Sequence, residues 1–218
     1  QAENLSFSEK SVDEILKKNI SRLYNVLSFY QLYQNSTNPS DTSKNILDKW
    51  IISKLNKLIK SITEGYENYR VDLATRPLTD FIDDFSVWYL RRSRDRFKEE
   101  NDDKKEALAT LRYVLYFLSL AMAPAMPFFA EQIYQQTKKE DAPESVHLSD
   151  WPKFDKKKIN KNLEQEMDEV RNIVNLALAE RSEKQIKVKQ PLASLKIKNT
   201  KLKIEKNSEL LGLIKDEV

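Results

Sequence analysis

The sequence contains few residues of the types on which most self-contained enzymes depend. Among its 218 residues there are 2 glycines, 1 histidine and no cysteine. Gly65 and Gly212 lie too far apart to form a glycine-rich phosphate loop, which excludes the dinucleotide fingerprint and the P-loop. The lack of cysteine excludes disulfides, thiol nucleophiles and thiolate zinc sites, and His147 alone cannot build a multi-histidine metal site. We therefore predict no catalytic residue and no metal site in this chain.

Long apolar runs are also missing. The longest, around 114–126, contains Ser119 and Pro124 and is shorter than the ~20 residues that a membrane span needs. No charged segment followed by an apolar one opens the chain, so we expect no secretory signal and a cytoplasmic location. Charged residues make up 33% of the sequence, above the ~25% that is usual, which favours long solvated helices. Residue 1 is Gln, so we expect a piece of a longer protein.

The formal net charge of +3 hides two basic clusters. Residues 184–206 carry eight lysines against one glutamate, and residues 91–98 carry five basic residues against one aspartate. The rest of the chain is acidic. Such concentration of positive charge is typical of a protein that binds a phosphate-rich partner. The alternative is that the lysines form ordinary solvated faces.

The spacing of apolar residues predicts a helix bundle. Helical periods run over about 11–30, 46–66, 72–98, 104–122 and 127–134, with a loop at 35–43. Ser11 and Glu14 have the spacing of a capping box, and Pro77 predicts a kink or a helix start. Short connections between amphipathic helices predict an antiparallel bundle over residues 1–152.

The pattern changes over residues 153–218. A helical period over about 160–184 is followed by apolar residues that alternate with lysine at 186–188, 195–197 and 202–204, which predicts short strands. A short helix is predicted over 208–215. The predicted fold class is therefore mainly α, a bundle followed by a C-terminal helix and the start of a small α/β subdomain.

The third helical period ends in arginine. At 100° per residue, Arg92 and Arg96 continue the apolar stripe. Three other basic residues lie nearly opposite: Arg91, Arg94 and Lys98. Arg92 and Arg96 either pair with an acidic neighbour, such as Asp102 or Asp103, or project beyond the bundle towards phosphates, which suit bidentate guanidinium contacts.

The string FIDDFSVWYLRRSRDRF at 81–97 closely resembles the FIDDLSNWYIRRSRRRF-type motif of isoleucyl-tRNA synthetases. Five further strings resemble that family in the same order: NVLSFY at 25–30, LDKWI with LNKL at 47–58, APAMPFFAE at 123–131, SVHLSDWP at 145–152 and IKVKQPL at 186–192. The resemblance extends from about residue 8 to residue 218. It departs at Val87, where Asn is common, and at Asp95, where a basic residue is common and where the local positive charge is therefore lower.

This resemblance implies the helical anticodon-binding domain of a class I synthetase, which joins isoleucine to its tRNA with ATP and Mg²⁺. The HIGH and KMSKS signatures of the catalytic domain are absent, so we expect the segment alone to be inactive. Its implied partners are isoleucine-accepting tRNA and the catalytic and editing domains of the parent chain. The predicted tRNA-binding residues are Arg91, Arg92, Arg94, Arg96, Lys98, Arg22, Asn25, Tyr30, Lys187, Lys189, Lys196 and Lys198.

Two other functions stay open at this point. The chain could be the same domain of a valyl- or leucyl-type synthetase, or a helical protein-interaction module that binds no RNA. We also expect Trp50 and Trp88 in the core and Trp151 as a packing residue. Adjacent residues on a helix diverge by 100°, so Asp83 and Asp84 should not share a site.

Overall fold

The computed structural model describes residues 8–34, 38–188, 190–197 and 207–218. Contacts between Cα atoms divide the chain into two compact units, Gln1–Ile159 and Asn160–Val218. The predicted boundary between residues 152 and 153 stays a prediction. In the described parts of the chain, no helix combines the length and the apolar character that a membrane span requires.

The described residues are mainly helical, as the sequence predicts. The helices of the first unit are α1 (Glu9–Ile15), α2 (Arg22–Tyr33), α3 (Ile46–Glu67), α4 (Val71–Asp83), α5 (Arg91–Ser93), α6 (Asp102–Met122) and α7 (Pro127–Thr137). Those of the second unit are α8 (Lys161–Glu183) and α9 (Ser208–Lys215). A π-helical turn, Leu16–Ser21, joins α1 to α2, and a second one, Asp84–Leu90, joins α4 to α5.

Side-chain caps fix several helix starts. Asn45 and Asn101 accept hydrogen bonds from backbone N–H groups in the first turns of α3 and α6, and Asn160 and Asn207 do so for α8 and α9. The capping box predicted at Ser11 is wrong. Helix α1 begins earlier, and the side chain of Ser8 accepts the hydrogen bond from the N–H of Ser11.

The bundle core lies among α2, α3, α4, α6 and α7. Trp50 is 0% exposed and Trp88 6% exposed, which confirms both as core residues. Helix α3 packs against α4 and α6, and α6 packs against α7. The prediction for Asp83 and Asp84 is confirmed: Asp83 pairs with Arg22 of α2 at 2.6 Å, whereas Asp84 pairs with Lys54 of α3 at 2.8 Å. The carboxylate of Asp83 therefore ties the end of α4 to α2, and that of Asp84 ties the start of the π-helical turn to α3.

Gly65 permits a close approach between the backbones of α3 and α4. A Cβ atom at this position would lie 2.7 Å from the backbone N and 2.8 Å from the Cα of Ala74. Because backbone atoms cannot rotate away, we expect Gly65→Ala to lower the free energy of unfolding by about 1–3 kcal/mol, as overpacking does. Urea denaturation followed by circular dichroism measures this change.

The other glycine is a matched control. Gly212 lies inside α9, and an added Cβ would have no atom within 4 Å. Because alanine is the better helix former, Gly212→Ala should leave stability unchanged or raise it by up to about 1 kcal/mol. A Gly65→Ala chain as stable as the wild type would show that the α3–α4 approach does not constrain this position.

In the second unit, α8 packs against α9. The apolar stripe of α8 is buried and includes Leu163, Met167, Val170 and Val174. The strands predicted at 186–188 and 195–197 are wrong, since the described residues there form turns and irregular backbone. The third predicted strand, 202–204, lies outside the described residues. The backbone N–H of Ile186 donates to the carbonyl of Arg181 at 2.8 Å, which turns the chain back towards the end of α8.

Candidate nucleic-acid interface

The basic segment 91–98 separates its cations between two faces, as the helical spacing predicts. Arg91, Arg94 and Lys98 are exposed, whereas Arg92 and Arg96 are half-buried. The segment consists of α5 followed by a 3₁₀ turn, Arg94–Phe97. The sequence therefore places three of the five cations where a partner can reach them.

Arg96 is held by two carboxylates. Its Nη1 and Nη2 donate to the two oxygens of Asp48 at 2.8 and 2.9 Å, in the bidentate geometry that guanidinium favours. Its Nε and Nη2 donate to the two oxygens of Asp103 at 2.9 and 2.7 Å. The Arg96 side chain is 11% exposed. Of the two alternatives for Arg96, the structure therefore favours the ion pair, with Asp103 as one of the partners that the sequence suggests.

The Asp48 carboxylate is the centre of this network. Asp48 is 0% exposed. Besides Arg96, the hydroxyl of Tyr89 donates to its Oδ1 at 2.8 Å, and Oγ of Ser43 lies 2.7 Å from its Oδ2. The same Oγ is 2.8 Å from Oε2 of Glu106, so its single proton is directed to one carboxylate at a time. The network connects α3, α6 and the 3₁₀ turn.

Burial and neighbouring charges keep Tyr89 and Arg96 of this network protonated. Burial, and then the charge of Asp48, raise the pKa of Tyr89 well above its ordinary value, so its hydroxyl stays a donor. For Arg96, burial lowers the pKa, but the hydrogen bonds to Asp48 and Asp103 outweigh it and raise the pKa above its ordinary value. Arg96 therefore keeps its positive charge while it donates to the carboxylates of Asp48 and Asp103.

The three exposed cations differ in their contacts. Arg91 donates from Nε to the carbonyl of Val87 at 2.9 Å, and its guanidinium carbon lies 5.9 Å from the ring centroid of Trp88. Lys98 pairs with Asp95 at 2.5 Å, and the hydrogen bond from Lys98 lowers the pKa of Asp95. Asp95 therefore offsets the charge of Lys98, whereas Arg91 and Arg94 are two exposed guanidinium groups three residues apart. We call these two residues the arginine pair.

Helix α2 runs beside the basic segment. Arg22 contacts Asp83 before that segment, and Phe29 contacts Phe97 at its end, with ring centroids 5.0 Å apart. Asn25 is exposed and lies between these two contacts along α2, a helix that contacts residues before and after the arginine pair. The prediction that Tyr30 lines this surface is corrected: Tyr30 is 2% exposed and belongs to the core.

The predicted lysines of the second unit are Lys187, Lys189, Lys196 and Lys198. Lys187 and Lys196 are exposed, and Lys189 and Lys198 lie outside the described residues. The carbonyl oxygens of Lys187 and Gln190 accept hydrogen bonds from Nη1 of Arg181 at 2.9 and 3.0 Å. The buried Arg181 thus fixes the backbone of this turn, and the role of its lysines stays a prediction.

Two other motifs of the sequence are used in packing. Oε2 of Glu131 in α7 accepts from the hydroxyl of Ser145 at 2.9 Å and from the N–H of Val146 at 2.8 Å, which joins APAMPFFAE to SVHLSDWP. Nε1 of Trp151 donates to Thr63 of α3 at 2.8 Å, but Trp151 is 37% exposed, so its role as a packing residue stays a prediction. Among the described residues, no cluster of three or more histidine or acidic side chains could hold a metal ion.

Sequence reasoning missed Asp48, Tyr89 and Ser43. A signal for Asp48 was present: it lies three residues before Ile51 and seven before Leu55, on the apolar stripe of α3. An acidic residue on one apolar stripe and an arginine on another predict a buried ion pair. Tyr89 carries no comparable signal, because its ring alone suits the core.

Comparison with known proteins gives two findings. Residues 48–197 match the family model described as the anticodon-binding domain of tRNA ligase. The chain is 42% identical over 224 residues to the isoleucine–tRNA ligase of Clostridium tetani, an alignment that covers 97% of this chain and 21% of that protein. It is 38% identical over 227 residues to the isoleucine–tRNA ligase of Chlamydia abortus, with 100% and 22% covered. The chain thus spans about a fifth of the length of these curated relatives.

Proposed function

Because the chain belongs to the anticodon-binding domain family of tRNA ligases, we propose that it binds the anticodon stem and loop of a tRNA. The observation that carries this proposal is the arginine pair, with Arg91 in α5 and Arg94 in the 3₁₀ turn, both exposed next to Arg96 and Phe97, which are held in the bundle. Exposed guanidinium groups neutralise phosphates and fix the register of an RNA on a protein surface.

Recognition of bases is the second part of the proposal. Anticodon bases are unstacked in their loop, so side chains can hydrogen-bond to their edges. The exposed amide of Asn25 has both a donor and an acceptor for this purpose, and it lies on α2, which contacts Asp83 before the arginine pair and Phe97 after it. Further candidates for phosphate contact are Arg92, Lys98 and Arg22. The predicted lysines of the second unit, including Lys187 and Lys196, are candidates as well.

We further propose that the parent protein is an isoleucine–tRNA ligase, as the names of the relatives suggest. Its cytoplasmic location and its use of ATP and Mg²⁺ are part of this proposal and rest on the sequence resemblance given above. The partners of this segment would be isoleucine-accepting tRNA and the catalytic and editing domains of the same protein. ATP and Mg²⁺ would be bound by those other domains, so no chemical step is assigned to the present residues.

The proposal is tested with the double variant Arg91→Gln and Arg94→Gln. Binding of an isoleucine-accepting tRNA transcript is measured by fluorescence anisotropy over a series of KCl concentrations. Loss of two phosphate contacts should weaken binding by about 10- to 100-fold at low salt and reduce the slope of log K against log [KCl] by about 2. The affinity of the wild-type chain should itself fall steeply as salt rises.

A charge-matched control is available on α4. Arg70→Gln with Arg76→Gln removes the same charge, but Arg76 lies about four helical turns before Arg91 along the chain. This control should bind nearly as well as the wild type. Equal losses in both double variants would mean non-specific attraction, and no salt-dependent binding by the wild type would favour a protein-interaction module. Equal affinity for a valine- or leucine-accepting transcript would favour another synthetase of the class.

A further inference from the structure

The 3₁₀ turn Arg94–Phe97 is the point at which the basic segment changes its helical register. Ser93, which precedes it, has φ −87° and ψ −5°, and the chain leaves the α-helical path there. A 3₁₀ helix advances about 120° per residue, whereas an α-helix advances about 100°. The turn therefore decides in which direction Arg94 points relative to Arg91.

Two buried side chains hold this turn in place. Phe97 is 0% exposed and packs against Phe29 and Tyr33, and Arg96 is fixed by Asp48 and Asp103. Asp48 is on α3 and is inaccessible to solvent, so it cannot touch an RNA on the surface. Its carboxylate accepts hydrogen bonds from Tyr89 and from two nitrogens of Arg96, which hold the guanidinium of Arg96 in place.

We propose that Asp48 is a positioning residue for RNA binding, which acts through Arg96 to aim the arginine pair. This inference rests on the proposed function. A charge-assisted hydrogen bond to a phosphate requires a donor at the correct distance and angle. A turn that is already fixed does not lose conformational freedom when the RNA binds, and this preorganisation adds to affinity. Without Asp48, Arg96 would keep only its contact with Asp103, so the turn would be less fixed before binding and would lose more conformational freedom when the RNA binds.

The test is Asp48→Asn, which keeps the size of the side chain and removes its charge. The 218-residue chain is titrated with an isoleucine-accepting tRNA transcript over a KCl series, at a temperature where circular dichroism shows the variant to be folded. We expect about a tenfold loss of affinity at low salt and a decrease of about 1 in the salt slope, although the substituted side chain is buried. A purely structural role would leave the slope of the folded chain unchanged.

Gly65→Ala is the control for stability, since it strains the α3–α4 contact away from the turn. It should preserve both the affinity and the slope. Asp103→Asn provides a second measurement, because Asp103 is 45% exposed at the start of α6 and its loss threatens folding less. We expect a smaller loss, about two- to threefold, again with a shallower slope.

Wild-type affinity and slope in the folded Asp48→Asn chain would overturn the inference. If Asp48→Asn does not fold, a wild-type slope in Asp103→Asn overturns it instead. Failure of the proposed function is a different result: the wild type would bind no tRNA, or the double arginine variant would bind as the wild type does. If the double arginine variant loses affinity for tRNA but the aspartate variants keep the affinity and salt slope of the wild type, only the positioning role is rejected.

Discussion

Replacing Arg96 by alanine is expected to lower the free energy of unfolding by about 3–5 kcal/mol, the usual cost of removing one partner of a buried ion pair. The substitution leaves the Asp48 carboxylate, 0% exposed, with hydrogen bonds only from neutral groups. The desolvation cost of a buried charge is large unless an opposite charge compensates it. Urea denaturation of the 218-residue chain at neutral pH, followed by circular dichroism, measures the change.

Two comparisons separate this cause from a general sensitivity of the segment. Arg94→Ala alters an exposed arginine two residues earlier, and its unfolding free energy should stay within about 0.5 kcal/mol of the wild type. The double variant Arg96→Ala with Asp48→Asn removes both charges, so it should recover part of the stability that Arg96→Ala loses. A double variant less stable than the single one would show that the charge of Asp48 is not the source of the loss.

The sequence predicts one half of this ion-pair network and not the other. Helical spacing places Arg96 on an apolar stripe, and Asp103 is among the acidic neighbours that the chain offers nearby. Asp48 lies 48 residues away in the sequence. Its contact with Arg96 depends on how α3 packs against the segment that follows α4, and periodicity within one helix carries no information about such packing.

Tyr30 and the predicted strands show two further limits. The spacing of Leu23, Leu27 and Tyr30 already predicts burial, and the structure follows this pattern rather than the expected surface role of Tyr30. An alternation of apolar residues with lysine is compatible with a strand, but a strand needs a partner for its backbone hydrogen bonds. Here the backbone carbonyls of Lys187 and Gln190 accept hydrogen bonds from Arg181 instead.

Phe97→Ala should have an effect of the same size, about 3–5 kcal/mol, for a different reason. Phe97 is 0% exposed. Its ring lies edge-on to the ring of Phe29, with the two centroids 5.0 Å apart, and its centroid lies 5.6 Å from that of the Tyr33 ring. Alanine would remove this apolar contact and leave a cavity between α2 and the 3₁₀ turn, while every charge of the basic segment stays. Urea denaturation again provides the measurement.

Phe128 is the matched control, because it is a phenylalanine that is 91% exposed in the first turn of α7. Phe128→Ala should change stability by no more than about 0.5 kcal/mol. Phe97→Leu, which keeps most of the apolar volume, should fall between the two. If Phe97→Ala were as mild as Phe128→Ala, the turn would be held by Arg96 alone. A large loss in both Phe97→Ala and Arg96→Ala instead means that an apolar anchor and an ionic anchor each contribute, because neither substitution removes the contacts of the other.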